Sequence, residues 1–530
     1  MSETTSAKKR SRFESFIKWI EIIGNKFPHP FWLFVILSLI VILLSSWLSR
    51  KGITVTYLAA KAGEAPTETK VAVVNLLDYD SLRTFLAGFV RTYVNFAPLG
   101  LVLTMMLSIG IVEQTGMISA LMRKTILGAP NFLVTAVVAF VGINANLASD
   151  AGIIFTPVVA AAVFKALGRN PWVGIAAGYA AASGGFTANF FIAGTEALLS
   201  GITKSVADGV TNIIPPGTPT NPLINYYFMA TATIMLTILT VYVTEKYTVK
   251  FLGDGTGTRD EEELKKHAVT PAENRGLLYA FVALVLYIAL LVWLTYPQGS
   301  LFRNPKDGSL LPSSPLLSSI MPILFFLFFF MGVAYGLGAG VIKKAEDVPK
   351  LMGKGIAGTI GFMVVILPAS FFVELFRMSR FDVILSVTGA DWLKAINLGG
   401  IPLLLMFIAL VTFLNLFMMS GSAKWVILAP IFVPMFAQIG FSPALTQITY
   451  RIGDSCTNII TPLSYYLPVV IGLLEQYKRE GDPEVGIGTV ISMAMPYTIF
   501  YLIGFTALLI VWYIVGLPLG PGASALLALP

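Results

Sequence analysis

Charge is what this chain has least of. Asp, Glu, Lys and Arg make up 12% of its 530 residues, about half the roughly 25% of a soluble domain. So few charges cannot clothe a surface in water, and the main solvent is lipid. Cysteine occurs once, at Cys456, which excludes an internal disulfide. His29 and His267 are the only histidines, so no Cys/His cluster offers a zinc site, and a proton relay would have to use carboxylates. No GxxxxGK[ST] loop is present, which argues against ATP-driven pumping. The missing HExxH and GxSxG motifs argue against an intramembrane hydrolase, and the expectation is a protein that is not an enzyme. A net charge of +7 is no nucleic-acid signature here, because the basic residues sit in short connecting segments.

What the chain does have is apolar runs near the roughly 20 residues that cross a bilayer. The first, Phe31 to Leu48, follows the basic residues Lys8, Lys9, Arg10 and Arg12 and has no small-residue cleavage site. It reads as a retained helix rather than a signal peptide, and the basic cluster places residues 1–28 in the cytoplasm. A first half (29–245) and a second half (276–516) flank a charged cytoplasmic linker (246–275), and a tail (517–530) ends in the periplasm. Two regions, 131–167 and 400–440, have apolar arms too short for the roughly 30 Å hydrocarbon core, on either side of polar apices. Re-entrant hairpins satisfy both arm length and loop charge. The predicted fold is an all-α polytopic membrane protein of nine transmembrane helices plus two re-entrant hairpins, preferred over eleven full spans.

The two hairpin regions correspond. Ser149 precedes Pro157 by eight residues, as Ser422 precedes Pro430. Pro171 and Pro443 follow, and twelve residues beyond each stand Ser183 and Ser455 in Gly- and Asn-rich stretches. The units enter from opposite faces, which makes an inverted repeat. Interrupted apolar segments at matching places in two halves point to a transporter's binding site. Chance similarity between apolar segments is the bland alternative. Broken helices free backbone groups that hold ions, and Asn144, Asn146, Asn189 and Asn458, with Ser149, Ser183, Ser420 and Ser422, supply the neutral oxygens a hard cation such as Na⁺ needs. Helix packing through small polar residues remains open for each of them.

Ionisable residues inside spans are costly and so mark function. Asp150, Glu196, Arg451 and Asp454 stand out. Arg451 and Asp454 are three apart on one helix face and can pair. Otherwise Arg451 is suited to grip a substrate carboxylate. Lys424 is either an ion-site element or a side chain that snorkels to water. Trp425, at the second apex, is suited to stack on a flat ring or to pack against protein.

The run Gly184-Gly185-Phe186-Thr187-Ala188-Asn189 to Glu196-Ala197-Leu198-Leu199, the apex Ser422-Ala423-Lys424-Trp425, and Arg451-Ile452-Gly453-Asp454-Ser455 with Pro462 resemble the AbgT family of p-aminobenzoyl-glutamate transporters over essentially the whole chain. The resemblance implies a bowl-shaped homodimer with nine helices and two hairpins per subunit. It implies that Trp425, Pro443, Arg451, Asp454 and Pro462 serve substrate, with Glu196 where the family usually has aspartate. It also implies uptake of p-aminobenzoyl-glutamate or efflux of sulfonamide antimetabolites, coupled to Na⁺ or protons. The expectation is therefore a secondary active transporter of the bacterial inner membrane, with a small-molecule substrate, the bilayer as surroundings, no nucleic-acid partner and no cofactor beyond the coupling ion. A Na⁺-coupled di- or tricarboxylate symporter is the alternative.

Overall fold

In hydrocarbon a backbone must satisfy its own N–H and C=O groups, so apolar runs become helices. The computed structural model describes residues 28–59, 67–253, 255, 268–310, 314–357, 359–396, 398–464, 466–479 and 484–527. The basic cluster Lys8 to Arg12 and the linker residues Lys265, Lys266 and His267 lie outside the described residues.

In chain order the first half runs α1 (Pro30–Arg50), strands β1 (Thr54–Ala59) and β2 (Thr67–Ala72), α2 (Tyr79–Val94), α3 (Ala97–Gln114), α4 (Met117–Leu127), α5 (Val134–Ile143), α6 (Ser149–Ala166), α7 (Pro171–Tyr179), α8 (Gly194–Gly209) and α9 (Tyr226–Val243). The second half runs α10 (Pro271–Trp293), α11 (Ile320–Ala339), α12 (Asp347–Ala357), α13 (Ile360–Met378), α14 (Phe381–Ala395), α15 (Gly400–Asn415), α16 (Gly421–Ala437), α17 (Pro443–Cys456), α18 (Leu467–Gln476) and α19 (Ile487–Val515). Helical structure continues beyond α9 to Leu252.

Among the described residues, 7 helical stretches are long and apolar enough to cross a membrane: Pro30–Arg50, Tyr79–Gln114, Tyr226–Leu252, Pro271–Trp293, Ile320–Ala339, Ile360–Met378 and Ile487–Val515. Their outward faces remain apolar; α10 exposes Leu278, Phe281, Leu286 and Trp293, and α1 exposes Trp32, Leu43 and Trp47. Such continuous apolar exposure is compatible with a lipid solvent and not with water.

The strands correct the all-helical expectation. β1 and β2 pair antiparallel, Thr54 opposite Ala72. Both alternate β-branched and other residues (Thr-Val-Thr-Tyr; Thr-Glu-Thr-Lys-Val) in a polar segment between helices. That period of two favours a hairpin once the chain leaves the hydrocarbon.

The arms on either side of the two polar apices are short. α5 has 10 residues and α6 18; α15 has 16 and α16 17. At about 1.5 Å per residue none reaches the roughly 30 Å core thickness. α5 touches α6 across the turn Asn144–Ala148. In the second pair Phe407 of α15 lies 4.5 Å from Phe432 and 5.1 Å from Phe436 of α16, ring centre to ring centre. One arm of each pair, α16 and α6, also reaches the opposite half. α16 packs on α8, and α18 packs on α6 and α7, where the Trp172 indole donates to the Leu474 carbonyl at 2.9 Å. Around this core lie α1 against α13, α10 against α11, and α12 against α3. α3 spans both layers, since it also packs on α8.

α14 lies outside the spans, after a turn in which Arg380 adopts a left-handed φ of 66°. Burial pushes its Asp382 carboxyl up to about 6, opposed by the Val383 N–H and by the Arg380 and Arg377 charges. The ordinary value is about 3.9, so the folded state holds this proton more tightly than the unfolded chain does. Its stabilising contribution is full below about pH 4 and is lost as pH rises through about 6. Asp382→Asn should therefore raise the unfolding temperature near neutral pH and flatten its fall between about pH 4 and 6, read by thermal unfolding in detergent. An unchanged pH profile would contradict this assignment.

Candidate functional site

α17 is the polar centre of the molecule. It opens at Pro443, whose missing N–H costs nothing in the first helical turn, and Ser442 caps it by accepting the Leu445 N–H at 3.1 Å. All 14 residues of α17 are buried, including Thr446, Gln447, Thr449, Arg451 and Asp454. A helix this polar can be buried only if other elements bring it partners.

Two ion pairs do most of this. Arg451 Nη2 lies 2.7 Å from Glu196 Oε1, with both side chains 0% exposed. Glu196 sits in the first turn of α8, and its Oε2 accepts the Ala193 N–H at 2.7 Å. The helix N-terminus thus supports the carboxylate. Arg451 Nη2 also reaches the Thr187 carbonyl at 3.4 Å, whereas Nε and Nη1 have no hydrogen-bond partner. One turn on, Asp454 Oδ1 lies 2.6 Å from Lys424 Nζ, their side chains 4% and 2% exposed. Lys424 also donates to Asn415 Oδ1. The Arg451–Asp454 pair open to the sequence does not form, because each residue meets a partner from another element. Lys424 does not snorkel; it is buried at the tip of the second hairpin.

Gly421 lets that tip close on the carboxylate. A Cβ there would stand 2.7 Å from Asp454 Oδ2, and its carbonyl accepts the Tyr450 hydroxyl. Trp425 is fully buried and stacks on Tyr450, with ring centres 4.5 Å apart at 28°. Its indole N–H donates to Thr203 Oγ1 at 3.0 Å. Thr203 donates to Gln447 Oε1 at 2.5 Å, Gln447 to Asn225 Oδ1 at 3.1 Å, and Asn225 to the Ala444 carbonyl at 2.8 Å. In this conformation Trp425 therefore faces protein. Pro462 is buried in the turn after α17.

The first break has a different character. Asn144 Oδ1 accepts the Phe190 N–H at 2.9 Å, and Asn146 Nδ2 donates to the Phe186 carbonyl at 2.7 Å. Yet Asn146 Oδ1, Ser183 Oγ and both side-chain polar atoms of Asn189 are buried with no hydrogen-bond partner. In the second break Asn458 Oδ1 accepts from Asn415 at 2.8 Å, and Ser422 is half-buried, its hydroxyl 3.4 Å from that of Ser420. Ser149 and Asp150 begin α6, but their side chains lie outside the described residues.

A cavity of about 780 Å³ touches both tips, lined by Asn146, Leu147, Ser420 and Ser422 with Thr195 of α8, and by Phe34, Met106 and Phe362 of the surrounding helices. The two ion pairs lie behind the tips and do not line it. Sequence reasoning passed over Asn415, Tyr450, Thr203, Gln447 and Asn225. Asn415 alone left a trace, as a lone amide ending an apolar arm just where Asn144 ends the other.

Removing one partner of a buried pair strands the other charge, at a cost of about 3–5 kcal/mol, while removing both is far milder. Arg451→Met should therefore lower thermal stability markedly, and Glu196→Gln with Arg451→Met should recover much of the loss. Additive losses in melting temperature across this cycle would show the pair to be energetically uncoupled.

With this geometry in view, comparison with known proteins is direct. The family model described as "AbgT putative transporter family" matches residues 15–527. The chain is 36% identical over 505 residues to the p-aminobenzoyl-glutamate transport protein of Escherichia coli (strain K12), covering 95% of this chain and 96% of that one. Among solved structures, Neisseria gonorrhoeae MtrF, from work on a class of antimetabolite efflux pumps, superposes with a TM-score of 0.87 at 36% identity over 96% of this chain and 100% of that one. The Alcanivorax borkumensis YdaH transporter superposes with a TM-score of 0.84 at 34% identity, over 93% and 100%. Matches of this depth, spanning both breaks and the apex between them, make the chain a member of the AbgT family of membrane transporters.

Proposed function

We propose that this transporter is secondary active and carries p-aminobenzoyl-glutamate or related aromatic carboxylates, or sulfonamide antimetabolites, across a bacterial inner membrane. The observation that carries the reading is Arg451, a buried guanidinium that gives one nitrogen to Glu196 and leaves Nε and Nη1 without partners. A fork with free donors is matched to a carboxylate. Substrate entry beneath the tips brings that carboxylate to Arg451, in exchange with or beside Glu196. Trp425 and Tyr450 are the flat surfaces for an aromatic ring once the stack opens. Asp454 couples through Lys424 to the tip that must move.

The coupling ion is Na⁺ or a proton. Oxygens at Asn146, Ser183 and Asn189, buried and without hydrogen-bond partners, fit a hard cation at the first break. Ser149 and Asp150 begin the helix that follows this tip, and Asn144 braces the break. Ser422 and Asn458 belong to the second tip. The two broken elements, α7–α8 and α17–α18, added to the seven continuous spans, make nine crossings, and the short-armed pairs are re-entrant. Reciprocal packing of α16 on α8 and α18 on α6 supports the inverted repeat. The N-terminus is then cytoplasmic, the C-terminus periplasmic, and the working unit a homodimer. The cavity, lined by His29 and Thr359 at helix ends on the cytoplasmic side of this topology, opens inward. Import and export use the same residues, and the gradients set direction.

Purified protein in liposomes tests this. An inward Na⁺ gradient should drive uptake of labelled p-aminobenzoyl-glutamate, sulfonamides should compete, and well-expressed Arg451→Ala should lose at least about tenfold in rate, or about 1.4 kcal/mol. Uptake driven only by a proton gradient would assign the proton as coupling ion. Competition by succinate or citrate without p-aminobenzoyl-glutamate transport would favour the dicarboxylate reading. Normal transport by Arg451→Ala would sink the assignment of the carboxylate.

A further inference from the structure

The two hairpin tips bind their broken helices through the same device and finish it differently. At the first tip, Asn146 Nδ2 donates to carbonyls of the broken segment, Phe186 at 2.7 Å and Gly185 at 3.4 Å. At the second, Asn415 Nδ2 donates to the Asp454 carbonyl at 2.6 Å and to Asn458 Oδ1 at 2.8 Å. In each amide the nitrogen is thereby committed to the broken segment, and the oxygen is left for another partner. Asn146 Oδ1, in a residue 3% exposed, has no hydrogen-bond partner. Asn415 Oδ1, in a residue 0% exposed, accepts from the Lys424 ammonium.

We propose that Lys424 is a tethered cation, its ammonium holding at the second tip the place that a mobile alkali cation holds at the first, so that each subunit binds one Na⁺ rather than two. This rests on the reading above of Na⁺ at the first break.

The chemistry of the donor sets supports it. An ammonium and an alkali ion both carry a single positive charge and both seek oxygen. Lys424 Nζ lies among the oxygens an ion would use, Asp454 Oδ1 at 2.6 Å and the Asn415 amide oxygen. Asp454 needs a positive partner at this depth. Arg451 does not supply it, being engaged with Glu196. A tethered charge cannot diffuse away, so closure of the second tip on Asp454 does not depend on the external Na⁺ concentration, and the tip can open without losing its cation. A mobile ion would make closure depend on that concentration. The arrangement gives one tip whose closure reports ion binding and one whose closure carries its own cation. Lys424 is thus a residue that sets ion stoichiometry.

The test is equilibrium binding of radioactive ²²Na⁺ to the purified full-length protein, with choline keeping ionic strength constant, alongside thermal unfolding. Wild type should bind about one Na⁺ per subunit and Lys424→Ala about two. Lys424→Ala should melt well below wild type in choline and regain most of the difference in Na⁺. Lys424→Ala with Asp454→Asn should return to about one, because the added site loses its charge. Two ions on wild type, or no gain in Lys424→Ala, overturns the proposal. So does a Lys424→Ala protein that fails to fold at any Na⁺ concentration, since Na⁺ should stand in for the ammonium. The outcomes separate this idea from the one beneath it. No Na⁺ on wild type but one on Lys424→Ala would discard the site at the first break and keep the tethered cation. One on both would do the reverse.

Discussion

Four ionisable side chains meet in the buried centre of this protein, and the rest of the architecture follows from having to keep them paired. Arg451 and Asp454 lie one turn apart on a wholly buried helix, and each takes its opposite charge from another element. Glu196 arrives from the first half of the chain and Lys424 from the second hairpin. An unpaired charge at that depth would cost several kcal/mol. The Arg451–Glu196 pair thus obliges the two halves to interlock, and the Lys424–Asp454 pair ties the second hairpin to α17 within the second half.

Broken helices are the means of bringing those partners in. An unbroken α8 would have carried Glu196 past α17 with its carboxylate on a helix flank. Instead α8 starts within the protein, so its first-turn carboxylate is supported by a backbone N–H while it faces Arg451. On the other side Gly421 permits a backbone approach that any Cβ would block, which closes the second tip over Asp454. Trp425 then locks the closed state through Tyr450 and through a chain of amides and hydroxyls running from Thr203 to Asn225. Motion of this tip would break the stack and the hydrogen bonds together.

The asymmetry between the two breaks concerns how polarity is satisfied. At the second tip the amide is satisfied by protein groups: Asn415 reaches Asp454, Thr457, Asn458 and Lys424. The first leaves oxygens of Asn146, Ser183 and Asn189 without protein partners. Buried polar groups are rarely left so without a reason.

Much of this was legible in the residues. Lipid as solvent, the long apolar helices and the two short-armed breaks follow from charge scarcity, run length and the positions of Pro, Gly and Asn, because these are local properties of the chain. The β1–β2 strands are legible in the alternation of Thr54–Ala59 and Thr67–Ala72, but their pairing is not, because it depends on a partner strand in a polar segment that no apolar run marks. Arg451, Asp454, Glu196 and Trp425 could be picked out, since charge or indole within an apolar run is conspicuous wherever it folds. Their partners could not. Spacing on one helix suggested Arg451 with Asp454, whereas the structure couples residues 255 apart in one pair and draws Lys424 inward in the other. Nor does anything local mark Thr203, Gln447 or Asn225, ordinary polar residues that matter only for what stands opposite them. Local sequence determined which groups are too costly to leave alone in hydrocarbon. Only the tertiary structure decided which opposite charge each would meet, because that depends on where two broken helices and a hairpin tip converge.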